Sequence, residues 1–374
     1  MMQGRLMVVH AGKFYPPVEG GIETVLEQLC THSAARWEVR AVVANNARKT
    51  KCEMVDGVEV VRAAAFGKVA SVPIAPSLPL HLWKSRCDCV VLHEPNPIAA
   101  AALALRIPAR HLVIWHHSDL VRPWWAPRAY RPLQRMLYRR ASCVVVSSQR
   151  LADHSRVVQL ARRVVVIPFG IKLDKYFDSG PRDSLKSEAL RSRYGAPIIL
   201  CVGRLVYYKG LDVLIKALET CPGTLLVIGT GPMELELRNL SEQLGIKSRV
   251  KFIGRVSNED LLSFYRAADL FVLSSTQPTE AFGLVQIEAM ACGLPVVSTD
   301  LPTAVPWVNQ HEVTGLVVPP GDPNALASAI GRLLEDQAMR TRMGEAGRRR
   351  AAEQFSGERM ARDFIAAVEA VVAG

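Results

Sequence analysis

Two carboxylates, Glu280 and Glu288, flank the tripeptide Phe282-Gly283-Leu284 within the stretch from Ser274 to Val297. Phe271-Val272-Leu273 reads as a strand entering this stretch, and Pro295-Val296-Val297 begins another. Between them Ile287 and Ala291 recur at helical spacing, and Gly293 stands where a C-cap glycine belongs. The spacing therefore predicts a short helix opening at Gly283 and Leu284. A helix N-terminus offers unpaired N–H groups and the positive end of the helix dipole, which suits a diphosphate. Carboxylates repel phosphate but accept hydrogen bonds from neutral sugar hydroxyls. One helix end can thus hold a nucleotide sugar, with amides on phosphate, one Glu on the hexose and the other on the ribose. The same spacing also describes an ordinary capped, amphipathic helix with two surface acids.

Three further groups have chemistry of the same kind. Gly203-Arg204-Leu205-Val206-Tyr207-Tyr208-Lys209-Gly210 follows an apolar run at 198–202 and precedes a helix predicted over 211–219. Arg204 and Lys209 there can neutralise a leaving diphosphate. Gly20 and Gly21 close a loop between a first strand at 6–10 and a helix over 22–34, a phosphate-cradling arrangement or a simple turn. His116-His117-Ser118-Asp119 ends an apolar run, where a neutral imidazole can bond a sugar hydroxyl near the reacting carbon or be only a satisfied loop residue.

The elements that must position these groups alternate. β-rich runs at 39–44, 58–62, 89–93, 112–116, 143–147 and 164–167 are separated in several places by helical segments, notably 98–105 and 130–141. That pattern predicts an α/β fold with a mostly parallel sheet, whose ligands bind at the strand carboxyl ends. The polar, Pro-, Gly- and Ser-containing segment 174–195 reads as an interdomain stretch, after which the plan restarts. We expect an N-terminal domain over 1–170 and a C-terminal domain over 171–354. The run Arg348-Arg349-Arg350 reads as a solvated helix end.

A chain of 374 residues with 49% hydrophobic and 22% charged content has material for two cores. No apolar run approaches the ~18 residues of a membrane span, and the start reads as a buried strand rather than a signal peptide, so a cytoplasmic location is expected. The eight cysteines are scattered, with no zinc spacing, and read as reduced thiols. The net charge of +11 is uneven: residues 1–168 hold 23 Lys/Arg against 11 Asp/Glu, and residues 169–374 hold 23 against 24. Between Asp119 and Asp153 no acid occurs, while Arg122, Arg128, Arg131, Arg135, Arg139, Arg140 and Arg150 interleave with Trp124, Trp125, Tyr130 and Tyr138. This composition suits an anionic membrane surface over 120–150, a peripheral site at its inner face, or a nucleic-acid backbone; it also describes a solvated helix with core-facing aromatics.

The full string Glu-x7-Glu, with Phe-Gly-Leu inside it and Ala-Cys-Gly-Leu-Pro-Val-Val after it, closely resembles the donor-site signature of family 4 retaining glycosyltransferases. Gly-Arg-Leu-x-x-x-Lys-Gly, the Gly-Gly loop, His-Ser-Asp and Gly229-x-Gly231-Pro232 match the same family in order. The resemblance implies a GT-B fold, two Rossmann-like domains facing across a cleft that closes over the donor, with the last helix crossing back so that about 355–374 joins the first domain. It makes Glu280 the hexose ligand, Glu288 the ribose ligand, and Arg204 and Lys209 the phosphate-binding pair. Gly20, Gly21, Phe282, Gly283 and Leu284 become further donor contacts, and Arg255 and Val256 border the base. It points to His117 rather than His116 as the active-site imidazole. No Asp-x-Asp occurs, which fits an enzyme needing no metal or other cofactor. The similarity is nearest to bacterial surface-polysaccharide mannosyltransferases, which implies GDP-mannose and a lipid-linked or saccharide acceptor. The alternatives are a UDP-sugar donor, a nucleotide-sugar epimerase of the same fold, and a non-catalytic nucleic-acid-binding protein.

Overall fold

The computed structural model describes residues 5–18, 20–69, 72–119, 126–177 and 181–374. The chain divides into two compact units, one of residues 1–172 with 356–374, the other of residues 173–355.

The first unit is built on an eight-stranded sheet. Its strands are β1 (Met7–Ala11), β2 (Glu38–Ala44), β3 (Lys51–Val55) and β4 (Val58–Ala63). After a short ribbon of β5 (Lys68–Val69) and β6 (Val72–Pro73) come β7 (Cys89–Glu94), β8 (His111–His116), β9 (Cys143–Val146) and β10 (Val164–Val166). The order is β10-β9-β8-β7-β1-β2-β4-β3, and every pairing but β3–β4 is parallel. Runs such as Val-Val-Leu in β7 and Val-Val-Val in β9 are apolar on both faces because helices cover both sides of a parallel sheet. The hairpin β3–β4 turns at Asp56-Gly57, both at positive φ, as a two-residue hairpin loop requires. The strand order reverses between β1 and β7, so their carboxyl ends flank the switch point where ligands bind in such sheets.

The helix Gly357–Val372 belongs to this unit. Met360, Phe364, Val368 and Val371 form its buried stripe, packed on the helix Gly21–Ala34. Ser356 caps it, and a bridge from Ser356 to Ile171 ties its start to the end of the 1–172 segment. A Cβ at Gly170 would lie 2.1 Å from the Ser356 carbonyl, so this closure needs glycine.

The second unit repeats the plan with six parallel strands: β11 (Ile198–Val202), β12 (Thr224–Ile228), β13 (Val250–Gly254), β14 (Leu270–Leu273), β15 (Val296–Thr299) and β16 (Gly315–Val318). Their order is β13-β12-β11-β14-β15-β16, with the switch point between β11 and β14. Ile199, Leu225, Val272 and Val297 from the sheet meet Leu214, Ile330 and Leu333 from its helices in one core.

Two expectations are corrected here, and one open alternative is decided. The segment 174–195 does not lie between the units but belongs to the second, where it holds the helices Asp174–Phe177 and Pro181–Tyr194. The second helix is fastened by polar contacts that apolar periodicity cannot reveal, Lys186 to Asp260 at 2.6 Å and Arg191 to Asp269 at 3.2 Å. The run Arg348-Arg349-Arg350 is not merely solvated. Arg350 lies 5.0 Å over the Trp307 ring and 5.4 Å over Phe355, and it donates to the Trp307 and Val308 carbonyls, while Arg348 donates to the Phe177 carbonyl. Finally, Tyr130 and Tyr138 point inward from the helix Ala126–Arg140, whose buried stripe is Tyr130, Gln134, Leu137 and Tyr138. Their hydroxyls bond Glu94 and His116. Arg128, Arg135 and Arg139 share its exposed face. Arg122, Trp124 and Trp125 lie outside the described residues.

Candidate active site

In the second unit, two loops leave the carboxyl ends of the adjacent strands β11 and β14, on either side of the switch point. The first, 203–210, supplies Arg204 and Lys209; the second, 274–283, supplies Glu280. Ser274 Oγ donates to the Lys209 carbonyl at 2.9 Å, and the Thr276 amide donates to the Tyr208 carbonyl at 2.8 Å, so the loops are strapped together. Gly210, at φ 62°, permits this approach: a Cβ there would lie 2.1 Å from the Ser274 carbonyl oxygen.

The strapping brings Lys209 Nζ to 2.5 Å from Glu280 Oε2, which also accepts from Ser275 Oγ at 3.0 Å. Both side chains of the ion pair are largely buried, 14% and 11% exposed. Burial alone would push the Lys209 ammonium down, but the Glu280 carboxylate more than offsets it, and its pKa stands above the ordinary lysine value. An ammonium has three donors and a carboxylate four lone-pair sites, so each retains capacity for a ligand. Arg204 is exposed, with its guanidinium 3.3 Å from the Tyr208 hydroxyl.

The 274–283 loop is braced from behind. Thr303 Oγ1 donates to the Glu280 carbonyl at 2.9 Å, the Ala304 amide to the Ala281 carbonyl at 2.9 Å, and Gln286 Nε2 to the Phe282 carbonyl at 2.6 Å. Gly283, at φ 72°, caps the helix Leu284–Ala291. The Phe282 side chain is spent on packing: it is 2% exposed, 5.9 Å from Phe355 and 6.5 Å from Trp307. A ligand contact through that ring is closed. Glu288, one turn into the helix, is half-buried and accepts from Tyr265 at 2.7 Å and from Tyr176. Burial raises its pKa, partly countered by those hydroxyls and by Lys175. Arg255 and Val256 follow β13, with Arg255 exposed.

In the first unit, Gly20 is the extended N-cap of the helix Gly21–Ala34, and a Cβ on it would meet the Glu23 carboxylate at 2.2 Å. His117 follows β8 but is not an open strand-end imidazole; it is 2% exposed. Its Nε2 lies 3.0 Å from His93 Nδ1, and burial depresses its pKa to about 3. His116 is turned elsewhere, with Nδ1 2.6 Å from the Tyr138 hydroxyl and Nε2 3.4 Å from Asp119. The two adjacent histidines thus serve different networks. Sequence reasoning missed Ser275, Tyr265, Tyr176, Thr303 and Gln286 in the second unit, and His10, His93 and Glu94 in the first. His93 carried one usable signal, a histidine at the carboxyl end of a strand neighbouring the His117 strand.

The chain as a whole matches known proteins. The family described as "Glycosyl transferases group 1" matches residues 184–350, and "Glycosyl transferase 4-like domain" matches residues 20–170. O-antigen chain mannosyltransferase C of Escherichia coli is 29% identical over 365 residues, covering 96% of this chain and 97% of that protein. D-rhamnosyltransferase WbpZ of Pseudomonas aeruginosa is 30% identical over 358 residues, 94% of this chain and 92% of its own. Among solved structures, sucrose-phosphate synthase from Thermosynechococcus elongatus superposes with a TM-score of 0.80 at 25% identity, covering 99% of this chain and 100% of that one. With two Rossmann-like units of parallel strands and relatives aligned over nearly its whole length, the chain belongs to the family 4 glycosyltransferases of GT-B fold.

Proposed function

We propose that this glycosyltransferase moves a hexose, with retention of anomeric configuration and without a metal ion, from a nucleoside diphosphate sugar to a lipid-linked or saccharide acceptor in surface-polysaccharide synthesis. The donor we favour is GDP-mannose, supported by the similarity to an O-antigen chain mannosyltransferase. The observation that carries the reading is the Lys209–Glu280 pair, strapped into two loops at a sheet switch point. An arriving diphosphate competes with Glu280 for the ammonium. Lys209 then turns donors to phosphate, and Glu280 is freed to accept hexose hydroxyls.

Arg204 and the amides at Gly283 and Leu284 supply the remaining positive potential. Glu288 takes the ribose hydroxyls, Arg255 and Val256 border the base, and the loop at Gly20 and Gly21 is assigned to donor phosphate. The acceptor oxygen bonds to C1 as the bond from C1 to the phosphate oxygen breaks, and the hydroxyl proton passes to the departing phosphate on the same face. To His117, neutral because it is buried, we assign the hydrogen-bonding role towards the sugar. Charge neutralisation by Lys209, Arg204 and helix amides supports independence from metal, as does the lack of any Asp-x-Asp. The exposed face of Arg128, Arg135 and Arg139 supports peripheral contact with an anionic membrane. Among the described residues, no helix is long and apolar enough to cross a membrane.

Thermal-shift titration with GDP, UDP, ADP and their sugar conjugates tests the donor. Selective stabilisation by GDP and GDP-mannose is expected. Stabilisation by a UDP sugar instead would overturn the choice of nucleotide, and no response to any nucleotide would overturn the donor site. Transfer should survive EDTA unchanged.

A further inference from the structure

Three histidines end adjacent strands of the first unit: His10 in β1, His93 in β7, and His117 just after β8. Their rings join end to end, His10 Nδ1 to His93 Nε2 at 3.0 Å and His93 Nδ1 to His117 Nε2 at 3.0 Å. They are 0%, 1% and 2% exposed. Trp115 stacks 6.2 Å from both His93 and His117, Phe169 lies 5.2 Å from His117, and Phe364 of the last helix lies 5.7 Å from His10. This apolar wall keeps the rings uncharged: burial pushes His10 and His117 down to about 3, and His93 well below its ordinary value.

A neutral imidazole has one N–H and one bare nitrogen, and a contact between two rings needs one of each. If His93 carries its proton on Nδ1, it donates to His117 Nε2, so His117 must be protonated on Nδ1. The bare Nε2 of His93 must then accept from His10 Nδ1–H. If His93 is protonated on Nε2, every assignment reverses. Only two arrangements satisfy both contacts. The two chain ends, His117 Nδ1 and His10 Nε2, have no partner among the described residues.

We propose that His10, His93 and His117 form one tautomeric relay, all three protonated on Nδ1 or all three on Nε2, and that His93 and His10 are positioning residues setting whether His117 presents a donor or a lone pair at its outer nitrogen. The kinetic consequence rests on the reading of His117 as the sugar-facing imidazole; the shared tautomer does not.

The test is long-range proton–nitrogen correlation on the full-length protein labelled with ¹⁵N-histidine at neutral pH. Single His→Phe variants assign the three rings. Three neutral rings with the same nitrogen protonated are expected; one ring of opposite tautomer, or any cationic ring, overturns the relay. For the positioning role, His93→Phe keeps the ring volume and cuts both links. We expect kcat to fall about tenfold, as when an outer partner of a functional histidine is lost, with the KM for donor within about twofold. An unchanged kcat would overturn the positioning role. Loss of nucleotide binding in the unmodified protein would instead sink the proposed function and leave the tautomer result standing. If His93→Phe does not fold, the unmodified protein still decides whether the tautomer is shared.

Discussion

At Lys209 and Glu280 the residues assigned to the proposed chemistry are also ones that stability depends on. Each is nearly buried, so removing one leaves the other charged and poorly solvated. Lys209→Ala and Glu280→Ala should each lower transfer by about 10²-fold or more, with the fold retained by circular dichroism; full activity in both would refute the assignment. Each should also cost about 3 kcal/mol in denaturant unfolding, and the double variant less than the sum. A second residue-scale prediction concerns pH. His10 and His117 have folded pKa values near 3, below the ordinary 6.5. Between those values the unfolded chain binds more protons, so the histidines' contribution to stability is full above 6.5 and is lost as pH falls towards 3. The slope is about 1.4 kcal/mol per pH unit for each histidine. Glu94 and Glu288, raised by burial, act in the opposite sense as acid is added. The informative measurement is therefore the difference in stability between the unmodified protein and His10→Phe across this range, which should narrow on acidification. A constant difference would show that His10 titrates normally.

The brace behind the donor loop and the basic helix are features of elements. Arg350 is held between Trp307 and Phe355, whose rings also contact Phe282. Arg350→Ala should cost about 2 kcal/mol in stability and raise the KM for donor, because the wall that seats the 280–283 loop loosens. Arg350→Lys should recover little, since a point charge does not stack and cannot reach both carbonyls in the same way. An unaltered KM in Arg350→Ala would show that the loop holds its shape without this wall. On the helix Ala126–Arg140, the triple change of Arg128, Arg135 and Arg139 to Glu reverses the charge of one exposed face while leaving the buried stripe intact. Flotation with phosphatidylserine-containing vesicles should show binding by the unmodified protein, and its loss in the variant. Equal binding by both would remove this helix as the membrane contact.

At the scale of the whole molecule, the first unit is completed only by the last residues of the chain. Residues 356–374 bring Met360, Phe364, Val368 and Val371 into its core. Burial of such side chains stabilises by about 1.5–3 kcal/mol each, a total comparable with the 5–15 kcal/mol stability of a typical domain. A chain ending at residue 355 should therefore leave the first unit unfolded or aggregating. Limited proteolysis should cut throughout 1–172 while the 173–355 region persists; resistance of both regions would contradict this account. The charge imbalance belongs to this scale too, since the entire positive excess lies in the 1–168 segment.

How much of this was legible in the sequence depends on whether the signal was local. The strands β7, β8, β11 and β14 and the helix after Gly283 were readable because apolar periodicity, glycine punctuation and capping residues act within a few positions; the return of the last helix came from the family resemblance alone. The motifs around Glu280, Glu288, Arg204 and Lys209 were legible for the same reason: each lies on one continuous loop or helix start. The β3–β4 hairpin was missed although Asp56-Gly57 announced it. What sequence alone could not decide were the partnerships. Composition left Tyr130 and Tyr138 either on a membrane-facing surface or facing the core, and the helix's rotation turns them to Glu94 and His116. Arg350 looked solvated until the fold placed Trp307 and Phe355 beside it. The pairing of Lys209 with Glu280 spans 71 positions and that of His10 with His93 spans 83. Such pairs are set by strand order, which makes distant strand ends neighbours. Local physics determined the elements and the inventory of reactive groups; the tertiary structure decided which of them touch, because burial, charge pairing and tautomer are properties of neighbours rather than of residues.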